Sequence, residues 1–172
     1  MERNLQGRGV SRTITKDPSF YGGDLKTMKL ITKILFPLCL LFPITTFGET
    51  IDSLEYRGDG LIYEKSSDVP FTGKIVDYHP NGQLRKKQTY KVGKRDGLWV
   101  YYHDNGQIEK KGIYKDGKKE GPWVYYWDNG QVSDKGNYKD NKRDGPWVFY
   151  HLNGQLEKKG TYKKGKRDGP WV

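Results

Sequence analysis

GLWVYYHDNGQIEKKGIYKDGKKE, residues 97–120, decides the fold, because the chain keeps returning to it. Residues 121–144 read GPWVYYWDNGQVSDKGNYKDNKRD and residues 145–168 read GPWVFYHLNGQLEKKGTYKKGKRD. A more divergent copy, GKIVDYHPNGQLRKKQTYKVGKRD, fills residues 73–96, and a fifth begins at Gly169. The period is 24 residues without slippage, which is the signature of a stacked-repeat architecture. Trp99 to His103 is short, aromatic and β-branched and reads as a strand. Asn105-Gly106 follows, and both residues tolerate the positive φ of a type I′ turn. Residues 107–115 then return as a second strand, and a Gly- and Lys-rich turn leads to the next unit. Pro122, Pro146 and Pro170 suit the first residue of a strand, where a missing donor costs least.

A two-residue loop at Asn105-Gly106 sets Asp104 against Gln107, His103 against Ile108 and Trp99 against Gly112. Four columns then recur with the period: those of Trp99, Tyr102, Tyr114 and Ile108. They supply the apolar seam expected between neighbouring hairpins. A lone hairpin is marginal in water, so stability has to come from stacking units side by side. With strands ~4.8 Å apart, each unit advances the sheet by roughly 10 Å. The expected fold is all-β: tandem hairpin repeats forming an elongated twisted sheet or solenoid. One conflict stays open: Trp99 and Tyr102 have opposite parity, so either a bulge lies between them or both faces are partly covered.

The residues Gly97, Trp99, Tyr102, Asn105, Gly106, Gly112 and Tyr114, returning in phase, resemble MORN repeats, particularly the bacterial variant form. The resemblance spans about residues 71–172; Ile75 and Gln88 depart from it in the first copy. It implies an all-β hairpin stack without catalytic residues, involved in protein–protein contacts or membrane phospholipid association. Some bacterial variants also resemble antitoxin or immunity proteins.

Ahead of the repeats the chain changes character twice. Residues 1–27 are polar and aperiodic and are expected to be disordered or not translated. Residues 28–48 carry Lys29 and Lys33, an apolar stretch over 34–44, and small residues before a cut after Gly48, the pattern of a secretory signal peptide. The alternative is a membrane anchor through 30–47, but the apolar run is shorter than the ~20 residues a span needs. Cys39 is the only cysteine and is lost on cleavage, leaving no thiol for a disulfide. Residues 49–72 are expected to form an N-terminal cap and partial repeat, and 73–172 the array. The start of a fifth unit at 169–172 leaves an open strand edge, to be explained by truncation, fraying or end-to-end self-association.

The whole chain carries a formal charge of +10. From Glu49 onward it has 24 basic and 18 acidic residues, net +6. Lysine and arginine pairs fall in every inter-repeat turn and are expected to form a stripe along one edge, attractive to anionic phospholipid or an acidic partner. Nucleic acid is disfavoured, since the tyrosines are needed for the seam. His79, His103 and His151 share a column with Trp127. Their ~10 Å spacing is incompatible with shared ligation at ~2 Å, and no cofactor, metal or catalytic site is expected. The sequence therefore reads as an exported contact surface for a protein partner. The candidate contact residues are the outward aromatics Tyr101, Tyr125, Trp127 and Phe149 and the turn cations Lys118, Lys119, Lys142 and Arg143. Peripheral binding to anionic lipid and an antitoxin role are the alternatives.

Overall fold

The computed structural model describes residues 12–15 and 53–172. The described residues form a β-meander without helix. The strands are β1 (Arg12–Thr15), β2 (Leu54–Tyr56), β3 (Ile62–Glu64), β4 (Gly73–Tyr78), β5 (Leu84–Lys91), β6 (Lys94–Arg95), β7 (Gly97–Tyr102), β8 (Ile108–Lys115), β9 (Lys118–Tyr126), β10 (Val132–Lys139), β11 (Lys142–Tyr150), β12 (Leu156–Lys163) and β13 (Lys166–Asp168). From β4 onward each strand pairs antiparallel with the next in one open eleven-stranded sheet, with β6 set beside β5. The proposed signal segment 28–48, the alternative anchor 30–47 and Cys39 lie outside the described residues. Within the 1–27 stretch, read as unstructured, Arg12–Thr15 is a strand paired along the outer edge of β4, from Arg12↔Asp77 to Thr15↔Lys74; its Thr-Ile-Thr run is β-branched and fits a pleated edge.

The hairpins keep the expected Trp99↔Gly112 pairing, but the two kinds of turn exchange roles. At Asn105-Gly106 only Gly106 has positive φ, +84°. Gly106 N–H donates to His103 O at 3.0 Å and His103 N–H to Gln107 O at 2.8 Å. This is a three-residue loop with a glycine bulge rather than a type I′ turn. The register consequently jumps between Tyr101↔Lys110 and Tyr102↔Ile108. The two-residue loops with both φ positive sit between units, at Val92-Gly93, Asp116-Gly117, Asp140-Asn141 and Lys164-Gly165. The Asn105 side chain closes this loop locally, Oδ1 accepting from Gln107 N–H at 2.9 Å, and Nδ2 also donates to Asp128 O in the next unit at 2.7 Å. Asn153 forms the same loop with its Nδ2 turned to Gln155 Oε1 instead.

Plain alternation resolves the parity conflict: Tyr101, not Tyr102, shares the face of Trp99. Trp99 packs with Tyr90, Tyr101 and Tyr114 at ring separations of 5.4, 6.1 and 4.7 Å. The seam is therefore built from the Trp99, Tyr101 and Tyr114 columns, not from Tyr102 and Ile108 as the sequence suggested. Tyr101 is two residues from Trp99 and shares its face, whereas Tyr126 lies on the other side with Lys111 over its ring. The indoles of Trp99, Trp123 and Trp147 are at most 1 % exposed. Each donates its N–H to a carbonyl ten residues back, Thr89, Ile113 and Asn137. The ring covering Gly112 closely is Trp123 of the following unit: a Cβ on Gly112 would stand 2.2 Å from it. Pro122 lies inside β9 rather than at its start, opposite a register shift between Gly112↔Trp123 and Ile113↔Glu120, where no ladder donor is required of it.

The first unit shows what the consensus residues do. Gln88 replaces the glycine, and β5–β7 pairing is confined to Lys86↔Tyr101 and Lys87↔Val100. The β2–β3 hairpin covers this end: Ile62 and Phe71 join Ile75, Tyr90 and Trp99 in the core, and Tyr56 and Tyr90 share a hydroxyl hydrogen bond of 3.0 Å. At the other end Val172 exchanges backbone bonds with Lys159 at 2.7 and 3.1 Å, and Trp171 packs on Tyr162 at 5.1 Å. Residues 169–172 are thus held in the sheet rather than frayed.

Candidate interaction surface

Three surfaces emerge from the repeat geometry. The first is the tryptophan face. Adjacent strand residues project to opposite sides, so each turn pair splits. Lys119 turns inward, its Nζ 4.2 Å from the Trp123 ring and donating to Tyr125 OH at 3.0 Å. Arg143 does the same over Trp147 at 4.2 Å, donating to Tyr162 OH at 3.1 Å. Arg95 and Arg167 continue this row over Trp99 and Trp171. Among the described residues the result is a single sheet layer whose tryptophans are sealed by tyrosines beside them and cations above. Cation–ring contacts of this kind contribute about 0.5–2 kcal/mol each.

The second surface is the edge of type I′ turns. Lys118 and Lys142 are exposed there, and Lys118 Nζ pairs with Asp140 at 2.7 Å. A cleft of about 700 Å³ between successive turns is lined by Lys118, Lys139, Lys142, Lys163 and Lys164 with Asp140 and Asp144. The acidic residues of these turns also fasten neighbours together. Asp96, Glu120 and Asp144 carboxylates accept backbone N–H groups of Asp116, Asp140 and Lys164 at 3.1–3.2 Å.

The third is the edge of hairpin tips. His79 Nε2 meets Tyr102 O at 2.9 Å and His103 Nε2 meets Tyr126 O at 3.2 Å. A carbonyl only accepts, so both rings carry the proton on Nε2. Trp127 Nε1 makes the equivalent bond to Tyr150 O at 3.3 Å. The column read as a row of polar tip residues is therefore a chain of stitches between units, and Trp127 keeps the donor while adding ring area, being 38 % exposed.

The candidate contact residues thus separate. Tyr101, Tyr125 and Phe149 are half-buried on the tryptophan face together with Lys119 and Arg143; Lys118 and Lys142 lie on the turn edge; Trp127 lies on the tip edge. Sequence reasoning missed Arg95 and Arg167 as members of the cation row. Their signal was parity: each is four residues before a column tryptophan and shares its face.

Burial raises the phenol pKa values of Tyr90, Tyr101 and Tyr125, reinforced at Tyr90 by its bond to Tyr56 and at Tyr125 by Tyr138. The folded state then keeps protons that the unfolded chain loses above pH 10, so stability falls as pH rises through that range. Desolvation lowers the Lys119 pKa below its usual 10.5, which has the opposite sign and favours the fold as pH rises toward that value. Tyr63 is raised as well by its hydrogen bond to Asp59, and Lys118 by its bond to Asp140; four tyrosines and Lys118 against Lys119 leave a net loss. Thermal melts across pH 9 to 11, about one unit either side of the free phenol value, should show a falling midpoint with tyrosinate absorbance appearing at the unfolding transition. A midpoint that stays level or rises would contradict this arrangement.

Comparison with known proteins adds the following. Residues 71–91, 95–116, 119–140 and 143–164 each match the family described as MORN repeat variant. No curated protein matches the chain. Among solved structures, one described as accessory secretory protein 1, 2 and 3 in Streptococcus pneumoniae aligns at 23 % identity over 68 % of this chain and 18 % of that one, with a TM-score of 0.22. The chain thus spans about a fifth of that protein's length, and the overlap carries no argument.

Proposed function

Because the chain belongs to the MORN repeat variant family, we propose that it is a non-catalytic scaffold that binds a protein partner in the cell envelope or exterior. Repeats of this family are generally associated with protein or membrane-lipid binding. The observation that carries the reading is the tryptophan face. Tyr101, Tyr125 and Phe149 are half-buried rings interleaved with Lys119 and Arg143, and tyrosine and arginine are the side chains enriched where protein partners meet. Their positions are fixed by stacking before any partner arrives, which lowers the ordering cost of association.

The second reading, peripheral binding to anionic lipid, is supported by the lysine-lined cleft of the turn edge. One experiment separates the two. The full chain with a C-terminal tag is used to capture proteins from its own cell envelope and, in parallel, is sedimented with vesicles containing phosphatidylglycerol. A retained protein whose recovery drops in a Tyr125→Ser variant supports the scaffold. Absence of any retained protein, with salt-sensitive sedimentation lost on Lys118→Ala and Lys142→Ala, overturns it in favour of lipid. A toxin as the retained protein would give the scaffold the antitoxin or immunity role.

A further inference from the structure

The repeats are near-copies, so positions that break the pattern are informative. Four such positions meet at one place on the tip edge. Trp127 stands where the other units have His79, His103 and His151; Ser133 where they have Arg85, Glu109 and Glu157; Asp134 where they have Lys86, Lys110 and Lys158; and Leu152 where its neighbours have Asp104 and Asp128. All four line a cleft of about 600 Å³ that also includes Glu109 and Tyr125.

The chemistry changes most at Asp134. In the second unit Lys110 Nζ lies 4.4 Å from the ring of Tyr101, and in the fourth Lys158 Nζ lies 4.9 Å from Phe149. Both contacts follow from cross-strand pairing, Tyr101↔Lys110 and Phe149↔Lys158. Tyr125 pairs in the same way with Asp134, which supplies a carboxylate in place of the ammonium. On its other side Tyr125 pairs with Lys110, whose ammonium lies over Tyr101, and it carries Lys119 at 5.6 Å. The Asp134 carboxylate accepts from Ser133 Oγ at 3.0 Å and has Arg143 Nη2 at 3.9 Å, beyond hydrogen-bond length. Its burial disfavours the charged form and outweighs Arg143, Lys119 and Lys158, which all act on it, so the cations already present do not fully offset it. Glu109 stands nearby, paired with Lys110 at 2.7 Å. Trp127 spends its N–H on Tyr150 O and leaves its ring partly exposed.

We propose that this cleft docks an arginine or lysine side chain of the protein partner, held by the Asp134 carboxylate and the rings of Tyr125 and Trp127. The site rests on the protein-binding reading and specifies it: the partner presents a basic segment to the third unit, although the chain as a whole is basic. Charge complementarity selects the occupant. The neighbouring units show the same contact made internally, by a lysine over a ring at the equivalent position.

The test uses the full chain and a tri-arginine peptide, followed through the indole N–H resonances, with Trp127 assigned by its loss in Trp127→His. Both Trp127→His and Asp134→Lys restore the residue found in neighbouring units. Trp127→His is expected to leave the melting temperature unchanged, whereas Asp134→Lys gives up the Arg143 contact without gaining a partner like Glu109 and is compared at matched folded fraction. The peptide should shift the Trp127 resonance, tri-glutamate should not, and Asp134→Lys should weaken the peptide about tenfold or more. An unmoved Trp127 resonance, or equal binding by Asp134→Lys, overturns the site. A native partner captured equally by wild type and Asp134→Lys also overturns it while leaving the scaffold reading intact; absence of any captured partner is instead the failure of that reading.

Discussion

Replacing Trp123 by alanine is expected to cost about 4 kcal/mol, the upper range for a buried aromatic truncation. The ring is 1 % exposed and contacts Tyr114, Tyr125 and Tyr138 at 5.3, 6.1 and 5.9 Å. It also satisfies Ile113 O at 3.2 Å and carries Lys119 on its face. Among the described residues no second layer lies behind this part of the sheet to collapse into the space. The effect should be local as well as large, because each unit contacts only its neighbours. Urea unfolding followed by circular dichroism is expected to broaden or split, as the units on either side of Trp123 lose their coupling. Trp171→Ala provides the comparison. That ring is half-exposed and its buried Nε1 has no hydrogen-bond partner, so its removal should cost clearly less. Equal losses at the two positions would mean that the tryptophans do not draw their stability from a neighbour on each side.

Much of this architecture is legible in the residues themselves. The period, the hairpin within each unit and the facing of Trp99 with Gly112 need only the alternation of strands and the position of Asn-Gly. What the sequence misleads about has two origins, the residue count of the tip loop and a seam column chosen against strand parity. Counting Asn105-Gly106 as a two-residue loop keeps the ladder continuous through Tyr102, which alternation already sets on the face opposite Trp99. The actual loop adds a residue and shifts the register at Tyr102↔Ile108, whereas Tyr101 shares the tryptophan face by alternation with either loop. Asn-Gly does not distinguish the two loops, because glycine takes positive φ in both. What the two loops do not share is the local bond from Gln107 N–H to Asn105 Oδ1, which recurs at every tip, including that of Asn153. The candidate surface suffers in the same way. Lys118 and Lys119 look equivalent as a charged pair, yet one faces solvent and the other lies on three rings. Strand parity alone separates them once β9 is known to begin at Lys118. The stitching by histidine, Trp127 and asparagine was not legible, since it depends on how far successive tips lie from one another.

Gly136→Ala should be nearly as damaging as loss of a tryptophan, at about 3 kcal/mol or more, from one added methyl group. Gly136 does not have positive φ, so the backbone would accept alanine. The obstacle is Trp147: a Cβ would stand 2.3 Å from its Cδ2. That ring is fully buried and fixed by its bond to Asn137 O at 3.0 Å, so it has nowhere to retreat without losing its burial and its hydrogen bond together. Gly121→Ala isolates the other possible cause. Gly121 has φ of +68° and open space around its Cα, so alanine there meets only the left-handed backbone penalty of about 1–2 kcal/mol. The first unit indicates how Gly136→Ala would fail. Where Gln88 occupies the glycine position, the ladder to the next unit stops at Lys87↔Val100, and β6 and β7 separate around Asp96. The variant should likewise lose pairing between β10 and β11 beyond Lys135↔Val148, read as faster amide exchange at Trp147 and its neighbours with protection retained in β7 and β8. If Gly136→Ala proved no worse than Gly121→Ala, the close seat of each indole on the preceding unit's glycine would not be what joins one hairpin to the next.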